Sequence, residues 1–314
     1  MIHIMKTAFL FPGQGAQVVG MGAEIARSFP VAAEIYEKAN DLVGFDLQRL
    51  CFEGPAEQLN STTISQPAIF VTSAAILEVL RTNPSTSSIC ADVTAGLSLG
   101  EYTALYAAGL ICFEDGLVLV HKRGQAMQAA ADATDGAMVG IIGLDEEKVR
   151  QLCDEAAEGD LIVPVNFNCP GQVVVSGSVK ACERAAQLAR KYGAIKAVRL
   201  EVAGAFHTEM MSSAAESLGE ALSNCEISEP SEIRTISNIS AEYYQTSQKI
   251  ADGLINQLTC PILWQKCMER LIDDGLEKFY EIGPGRVLTG LMRRIKRKIK
   301  VVNLSTLQAI KELL

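Results

Sequence analysis

The sequence predicts an α/β fold made of a larger core and a small inserted subdomain. Short apolar runs that suit buried strands alternate along the chain with amphipathic, helix-forming stretches. A glycine-rich turn at residues 96–100 joins one such run directly to a helix, and residues 137–202 carry a compact strand and helix order of their own. With 314 residues, 48% of them hydrophobic, the chain is long enough to bury a core and still carry an insertion.

Two apolar runs supply the first strands of the core. Residues 7–11 end at Pro12-Gly13, as expected for a buried strand that enters a turn. Residues 91–95 form a second run that enters a turn at Gly96, and the stretch after this turn is rich in helix formers. Apolar residues at helical spacing predict a further helix over 114–131.

The middle of the chain predicts a ferredoxin-like unit. Its pattern reads strand, helix, strand, strand, helix, strand over 137–144, 145–158, 161–167, 172–176, 178–192 and 195–202. Asp145 and Ser178 stand where helix N-caps are expected. Because this order is that of the ferredoxin-like motif, we predict a small subdomain at 136–202, inserted into a core formed by 1–135 and 203–314.

After the insertion the alternation of strands and helices resumes. Apolar runs predict strands at 233–238 and 278–282. Helices are expected from about Ser247, through Trp264, and after the Gly-Pro-Gly at 283–285.

Composition excludes several classes of protein. The net charge of −9 argues against sequence-independent nucleic-acid binding, which needs a basic surface. No apolar run approaches the roughly 20 residues of a membrane-spanning helix, and the N-terminal run is too short for a signal peptide. We therefore expect small-molecule or protein partners, with no nucleic acid and no membrane.

The cysteines and histidines indicate a reducing compartment and no metal site. The nine Cys are an odd number with no CxxC, as expected for buried, reduced side chains. Three scattered His and unclustered Cys offer no metal-ligand spacing. We expect a cytoplasmic location, or an organellar matrix or stroma if the chain is a trimmed mature form.

The turn at residues 96–100 is a candidate nucleophile site. Its sequence, Gly-Leu-Ser-Leu-Gly, has the G-x-S-x-G pattern between a predicted strand and a predicted helix. In that context the glycines let the backbone turn sharply and hold the Ser98 hydroxyl at the helix N-terminus. The alternative is a glycine-rich turn in which Ser98 serves only as an N-cap.

A serine nucleophile needs a base, and His207 is the best of three candidates. His3 is terminal, and His121 falls inside a predicted helix, whereas His207 follows the last strand of the inserted unit where the chain returns to the core. The alternative is a structural histidine. No acidic partner for His207 can be identified from sequence, and a backbone carbonyl could fix its tautomer instead.

Acyl transfer also needs donors for the developing oxyanion. The backbone N–H of Leu99, directly after Ser98, is the first candidate, and Gln14 in the turn at 11–15 is a second. The alternative for the second turn is an ordinary strand exit. Arg123 is either a solvated helix charge or, if it points inward, the natural bidentate partner of a substrate carboxylate.

Seven segments in one order resemble a known enzyme family over nearly the whole chain. They are FPGQG at 11–15, GLSLGEYTAL at 96–105, RGQAMQ at 123–128, PVNFNCPGQVVVSG at 164–177, GAFH at 204–207, NQL at 256–258 and EIGPGRVLTGL at 281–291. The sequence is similar to the malonyl-CoA:acyl-carrier-protein transacylases. That resemblance implies an α/β-hydrolase-like core with a ferredoxin-like small subdomain.

The resemblance also implies the reacting groups. Ser98 would carry the malonyl group as an ester, and His207 would deprotonate Ser98 and later protonate the leaving thiol. Arg123 would bind the free malonyl carboxylate, and Gln14 and Leu99 would supply the oxyanion amides.

The remaining roles implied by the resemblance are supporting ones. Gln257 would orient His207 through its backbone carbonyl, so that the chemistry rests on a Ser–His dyad without a carboxylate. Asn166 and Asn168 would contact the pantetheine arm. Leu97 stands where many members of the family have His, so no second imidazole is expected there.

The implied reaction is ping-pong transfer of malonyl from malonyl-CoA to the phosphopantetheine thiol of acyl carrier protein, in support of fatty acid biosynthesis. No cofactor is implied, and we expect a monomer. One rival is a serine hydrolase such as a thioesterase, using the same Ser98 and His207 with water as acceptor. Another is a catalytically silent acyl-CoA or carrier-binding protein with the same fold.

One basic run breaks the acidic balance of the chain. Residues 293–300 read Arg-Arg-Ile-Lys-Arg-Lys-Ile-Lys, which could dock an acidic carrier protein. A solvated helix end that complements the helix dipole is the favoured interpretation of the same run.

Overall fold

The computed structural model describes residues 6–314 and builds them around two β-sheets. His3 lies outside the described residues. The strands are β1 Lys6–Phe11, β2 Val93–Gly96, β3 Gly136–Ile142, β4 Ile162–Cys169, β5 Gln172–Ser178, β6 Lys196–Arg199, β7 Arg234–Thr235, β8 Leu276–Ile282 and β9 Val301–Leu304.

Fourteen helices are found within residues 6–314, and many of them surround the first sheet. A 3₁₀ turn at Glu209–Met211 precedes the tenth helix. The helices are α1 Ala23–Ser28, α2 Pro30–Val43, α3 Leu47–Glu53, α4 Ala56–Asn60, α5 Thr62–Thr82, α6 Gly100–Ala107, α7 Phe113–Asp132, α8 Glu146–Ala157, α9 Val179–Leu188, α10 Ser212–Leu222, α11 Ser247–Gln257, α12 Trp264–Asp273, α13 Val287–Ile295 and α14 Leu307–Lys311.

The five-stranded sheet is parallel, with the order β7-β2-β1-β8-β9. Its central strands are apolar and buried almost throughout, as expected when helices cover both faces. Phe11 lies opposite Gly96 in the register, so β1 and β2 end at the same edge. The turns that follow these two strands are therefore neighbours at the carboxyl edge of the sheet, where α/β folds bind ligands.

The four-stranded sheet is antiparallel, with the order β4-β5-β3-β6, and it carries α8 and α9. Both predicted N-caps are confirmed: Asp145 accepts from Lys148 N at 2.9 Å, and Ser178 accepts from Ala181 N at 3.1 Å. The strand, helix, strand, strand, helix, strand order is also confirmed, and with it the α/β fold class. The division of the chain into units at 136–202 stays a prediction.

Helix α5 is the central helix of the core. Over an 18-residue window its mean hydropathy of 1.5 is high enough, and the helix is long enough, for a membrane span, and 83% of that window is buried inside the protein. The sequence showed no continuous apolar run of this length because Ser, Thr and Gln interrupt it. Since α5 packs against α2 and α7, we assign it to the core.

The C-terminal elements differ from prediction mainly in β7. The apolar run at 233–238 predicts a six-residue strand, but β7 pairs with β2 over only two residues. The chain then turns at Ser237, which donates its N–H to Glu242 O at 2.9 Å, and Asn238 leaves the sheet. This early departure brings Asn238 under the turn that carries Ser98.

Candidate active site

Ser98 stands on a strained turn between β2 and α6. Its φ is +51°, which non-glycine residues rarely adopt and which is typical of a nucleophile elbow. A Cβ on Gly96 would lie 1.9 Å from the backbone of Gly100, and one on Gly100 would lie 2.1 Å from Phe11 O. Both glycines of the motif are therefore required by close backbone contacts.

The side chain of Asn238 holds this turn by two hydrogen bonds to its backbone. Its Oδ1 accepts from Ser98 N at 2.6 Å, and its Nδ2 donates to Gly96 O at 2.7 Å. Asn238 is fully buried. Sequence reasoning missed it, although its place at the end of a predicted strand was a usable signal, because its partner lies 140 residues away.

His207 lies beside Ser98 and is held from behind by Gln257. Its Nε2 is 3.1 Å from Ser98 Oγ, and its Nδ1 is 2.7 Å from the backbone oxygen of Gln257. Because a carbonyl oxygen only accepts, Nδ1 carries the proton and the lone pair of Nε2 faces the serine hydroxyl. His121 lies elsewhere, on α7, with its Nε2 3.1 Å from Gln125 Nε2.

The imidazole of His207 is kept neutral by its surroundings. Burial, and then the nearby charge of Arg123, lower its pKa to about 4 against the opposing effect of the Gln257 hydrogen bond. A neutral imidazole can act as a base at ordinary pH. His207 therefore has the tautomer, the position and the protonation state of a general base for Ser98.

Arg123 points into the site and not into solvent, since it is 1% exposed. It donates from Nη1 to Gln66 Oε1 at 2.7 Å, and from Nη2 to Gln257 Oε1 at 2.9 Å and to Ser98 Oγ at 3.1 Å. Burial lowers its pKa from the ordinary value, and the facing Tyr102 and Glu101 oppose that shift. Within residues 6–314 its hydrogen-bond partners are all uncharged, and its Nε has none.

A cavity of about 770 Å³ opens over this group. It is lined from the parallel-sheet side by Gln14, Ser98, Arg123 and His207, and from the antiparallel sheet by Asn166 and Asn168 among others. The Oδ1 atoms of both asparagines are buried without a hydrogen-bond partner in the described chain. Buried acceptors of this kind are costly unless a ligand satisfies them.

The turn after β1 packs directly on the nucleophile turn. A Cβ on Gly13 would lie 2.2 Å from Leu97 O and 3.7 Å from Leu99 N, so this glycine allows the two turns to touch. Gln14, the next residue, lines the cavity. The two backbone segments predicted to carry oxyanion donors therefore meet at one side of Ser98.

The structure thus brings Ser98, His207, Arg123 and Gln257 into one hydrogen-bonded group, with the other predicted residues around it. Sequence reasoning also missed Gln66 and Glu101, both fully buried polar residues that hold members of this group. Glu101 follows Ser98 by three residues on α6, and that spacing was the available signal.

Such a group can form and release a serine ester. The neutral imidazole can take the hydroxyl proton, the turns can offer backbone amides, and the buried cation can receive an anionic part of the acyl group. Within residues 6–314 no group of three His, Cys, Asp or Glu side chains is placed to hold a metal ion. All nine cysteines are free.

The chain is similar to acyl-transferring enzymes over almost its full length. Residues 8–308 match the acyl transferase domain family. The malonyl CoA-acyl carrier protein transacylase of Bacillus subtilis is 43% identical over 306 residues, which cover 97% of this chain and 95% of that protein.

Two solved structures show the same similarity. An acyl carrier protein S-malonyltransferase from Vibrio cholerae superposes with a TM-score of 0.93 and 40% identity, over 98% of this chain and all of that one (100%). A malonyl-transacylase in complex with its type II PKS acyl-carrier protein superposes with a TM-score of 0.94 and 38% identity, over 98% and 99% of the two chains.

Proposed function

This chain belongs to the acyl transferase family, among the malonyl CoA-acyl carrier protein transacylases, and from that premise we propose that it transfers malonyl from malonyl-CoA to the phosphopantetheine thiol of an acyl carrier protein. The transfer supplies fatty acid biosynthesis. The single observation that carries the proposal is the buried Arg123, which lies 3.1 Å from the Ser98 hydroxyl and whose hydrogen-bond partners among residues 6–314 are all uncharged. A short acyl group with a distal carboxylate matches that arrangement.

The first half-reaction acylates Ser98. Ser98 Oγ attacks the thioester carbon while His207 Nε2 takes the hydroxyl proton, and the Gln257 carbonyl stabilises the resulting imidazolium through Nδ1–H. The backbone N–H groups of Gln14 and Leu99 stabilise the oxyanion. When the tetrahedral intermediate collapses, the C–S bond breaks, His207 returns the proton to the thiolate of CoA, and malonyl remains as an ester on Ser98.

The second half-reaction reverses these steps with a new thiol. The carrier's phosphopantetheine thiol gives its proton to His207 Nε2 and attacks the ester carbon. The C–O bond to Ser98 then breaks, and the serine oxygen recovers the proton. One base therefore serves both halves, as ping-pong transfer requires.

Arg123 selects the acyl group, and the asparagines hold the arm that carries it. A malonyl carboxylate gives the buried guanidinium an anionic partner, whereas acetyl-CoA leaves it without one. The pantetheine arm carries amide N–H groups, and the unpartnered Oδ1 atoms of Asn166 and Asn168 in the cavity fit them as acceptors.

The carrier protein is the proposed macromolecular partner. The basic run at 293–300 begins in the last turn of α13, a helix whose residues Val287 and Leu291 line the cavity. Arg294 also donates to Gln172 Oε1 at 3.1 Å, which gives that side chain a structural role. We propose further that the protein acts as a monomer without a cofactor in the reducing cytoplasm, a location that its nine free cysteines support.

Peptide mapping after reaction with malonyl-CoA tests this function. We expect one malonyl group on the peptide that contains Ser98, and none in Ser98→Ala. Ser213→Ala, an exposed serine on α10, is the matched control and keeps the adduct. A malonyl adduct that persists in Ser98→Ala would contradict the proposal.

A further inference from the structure

A buried carboxylate lies directly behind the reacting residues. Glu101 is fully buried on the first turn of α6. Its Oε1 accepts from Tyr244 OH at 2.7 Å and from Asn238 N at 3.2 Å, and its Oε2 accepts from Gln257 Nε2. Its backbone N–H donates to Ser98 O at 3.1 Å, but the carboxylate itself makes no hydrogen bond to Ser98, His207 or Arg123, so the reaction described above does not use that carboxylate directly.

Gln257 connects this carboxylate to three members of the site. Its Nε2 donates both to Glu101 and to Ser98 O at 3.0 Å, while its Oε1 accepts from Arg123 and its backbone oxygen accepts from His207. The amide orientation is fully determined, because Nε2 faces two acceptors and Oε1 faces a donor. If the amide rotated, its NH₂ would face the Arg123 guanidinium.

Glu101 also holds the nucleophile turn by a second path. The Asn238 backbone N–H that donates to Glu101 belongs to the residue whose side chain holds Ser98 N and Gly96 O. The Glu101 carboxylate is therefore linked by hydrogen bonds to Ser98 through Asn238, and to His207 and Arg123 through Gln257.

We propose that Glu101 is a positioning residue for malonyl transfer. Its ionised carboxylate fixes the orientation of Gln257, and Gln257 in turn holds Arg123 and His207 in position beside Ser98. The inference rests on the proposed function. In this proposal the Ser98–His207 dyad is supported by a carboxylate, which acts through the Gln257 side-chain amide and makes no hydrogen bond to the His207 imidazole.

The surroundings of Glu101 bring the pKa of its carboxyl group close to neutral pH. Burial raises its pKa to about 7, while Tyr244, Gln257, the Asn238 backbone and the charge of Arg123 oppose the shift. Tyr102 on the same helix and Cys267 on α12 also face it as titratable groups, with pKa values raised far above neutrality. Among these neighbouring groups, His207 changes charge near pH 4 and Glu101 changes charge near pH 7.

Glu101→Gln tests the role with little change of shape. A glutamine amide can keep its oxygen toward Asn238 N, but it then presents NH₂ to Gln257 Nε2, so that two donors face each other. We expect kcat/KM for Ser98 acylation by malonyl-CoA to fall roughly 10- to 100-fold. The malonyl-to-acetyl ratio should fall about tenfold, the value of one hydrogen bond to a charged group.

The pH profile provides a readout that a merely structural role would not move. Wild-type acylation should rise with pH through a limb near 7, as Glu101 loses its proton, above the limb near 4 of His207. Glu101→Gln should lose the limb near 7. Tyr244→Phe should move it to higher pH, because the Tyr244 hydrogen bond lowers the pKa of Glu101.

Tyr106→Phe is the matched control for Tyr244→Phe. Tyr106 lies on α6, the helix that carries Glu101, and donates to the Glu78 carboxylate at 2.8 Å, away from the reacting group. The Tyr106→Phe variant should leave the pH profile of Ser98 acylation unchanged. If Glu101→Gln does not fold, Tyr244→Phe carries the test, and a limb that does not move overturns the role of Glu101.

The outcomes separate the two proposals. A wild-type protein that forms no malonyl adduct refutes the proposed function. A wild-type adduct, combined with a folded Glu101→Gln variant whose malonyl-to-acetyl ratio and pH limb are those of wild type, refutes the role of Glu101 alone.

Discussion

Replacing Arg123 by Ala should separate malonyl from acetyl transfer. The guanidinium is 1% exposed and 3.1 Å from Ser98 Oγ, so a malonyl carboxylate bound there would be one half of a buried, hydrogen-bonded charge pair. Truncating one partner of such a pair costs about 2–5 kcal/mol. Because about 1.4 kcal/mol corresponds to tenfold in rate, kcat/KM for malonyl-CoA should fall roughly 30- to 5,000-fold.

Acetyl transfer should persist or rise in the same variant. Acetyl has no carboxylate to lose a partner, and the variant no longer buries an unpaired cation beside a neutral acyl group. The assay measures kcat/KM for transfer from each acyl-CoA to carrier protein, with Lys122→Ala, the exposed neighbour on α7, as control. An equal loss of malonyl and acetyl transfer in Arg123→Ala, with wild-type rates in Lys122→Ala, would refute the carboxylate-binding role.

Two further predictions concern the groups around Ser98. His207 should titrate near pH 4 by NMR of its imidazole, and Arg123→Ala should move that pKa upward because it removes a neighbouring positive charge; a wild-type value near 6.5 would contradict the neutral, desolvated base. Asn238→Ala should lower the free energy of unfolding by about 1–3 kcal/mol in a urea titration, since it leaves buried Ser98 N and Gly96 O without their partner, and it should slow Ser98 acylation. Unchanged stability and acylation in Asn238→Ala would show that the turn does not depend on this side chain.

Local sequence signals predicted those parts of the fold that depend on neighbouring residues. The caps at Asp145 and Ser178 are set by side chains that bond to backbone three residues away, and the contact between Gly96 and Gly100 lies within the turn that carries Ser98. The edge strand β9 was missed because it is short and only partly buried, so its apolar pattern is weak.

The supporting contacts of the site depend on residues distant in sequence. Gln66 and Arg123 are 57 residues apart, and Gln257 and Glu101 are 156 apart. No propensity or period links such pairs, because the parallel sheet and its long crossovers bring them together. The resemblance named Gln257 for its backbone carbonyl alone, and the contacts of its side chain emerged only from the folded chain.

Composition turned out to be informative about the site. With three His in the sequence, one at position 3 and one inside the predicted helix that became α7, the choice of His207 as base was nearly forced. Polarity could also mislead, since Arg123 and Glu101 look like solvated helix charges in sequence and both are buried. Both buried charges have hydrogen-bond partners in the site, but those of Arg123 are uncharged, which leaves it free to pair with a substrate carboxylate.

The fate of the malonyl-Ser98 ester tests the central claim most directly. Acylated protein is freed of malonyl-CoA and split between buffer and excess holo acyl carrier protein, and the intact masses of both proteins are followed over time. We predict that the adduct persists in buffer, that the carrier discharges it rapidly, and that the carrier gains the mass of one malonyl group. Release of free malonate at the same rate with and without carrier would contradict transfer and identify a hydrolase.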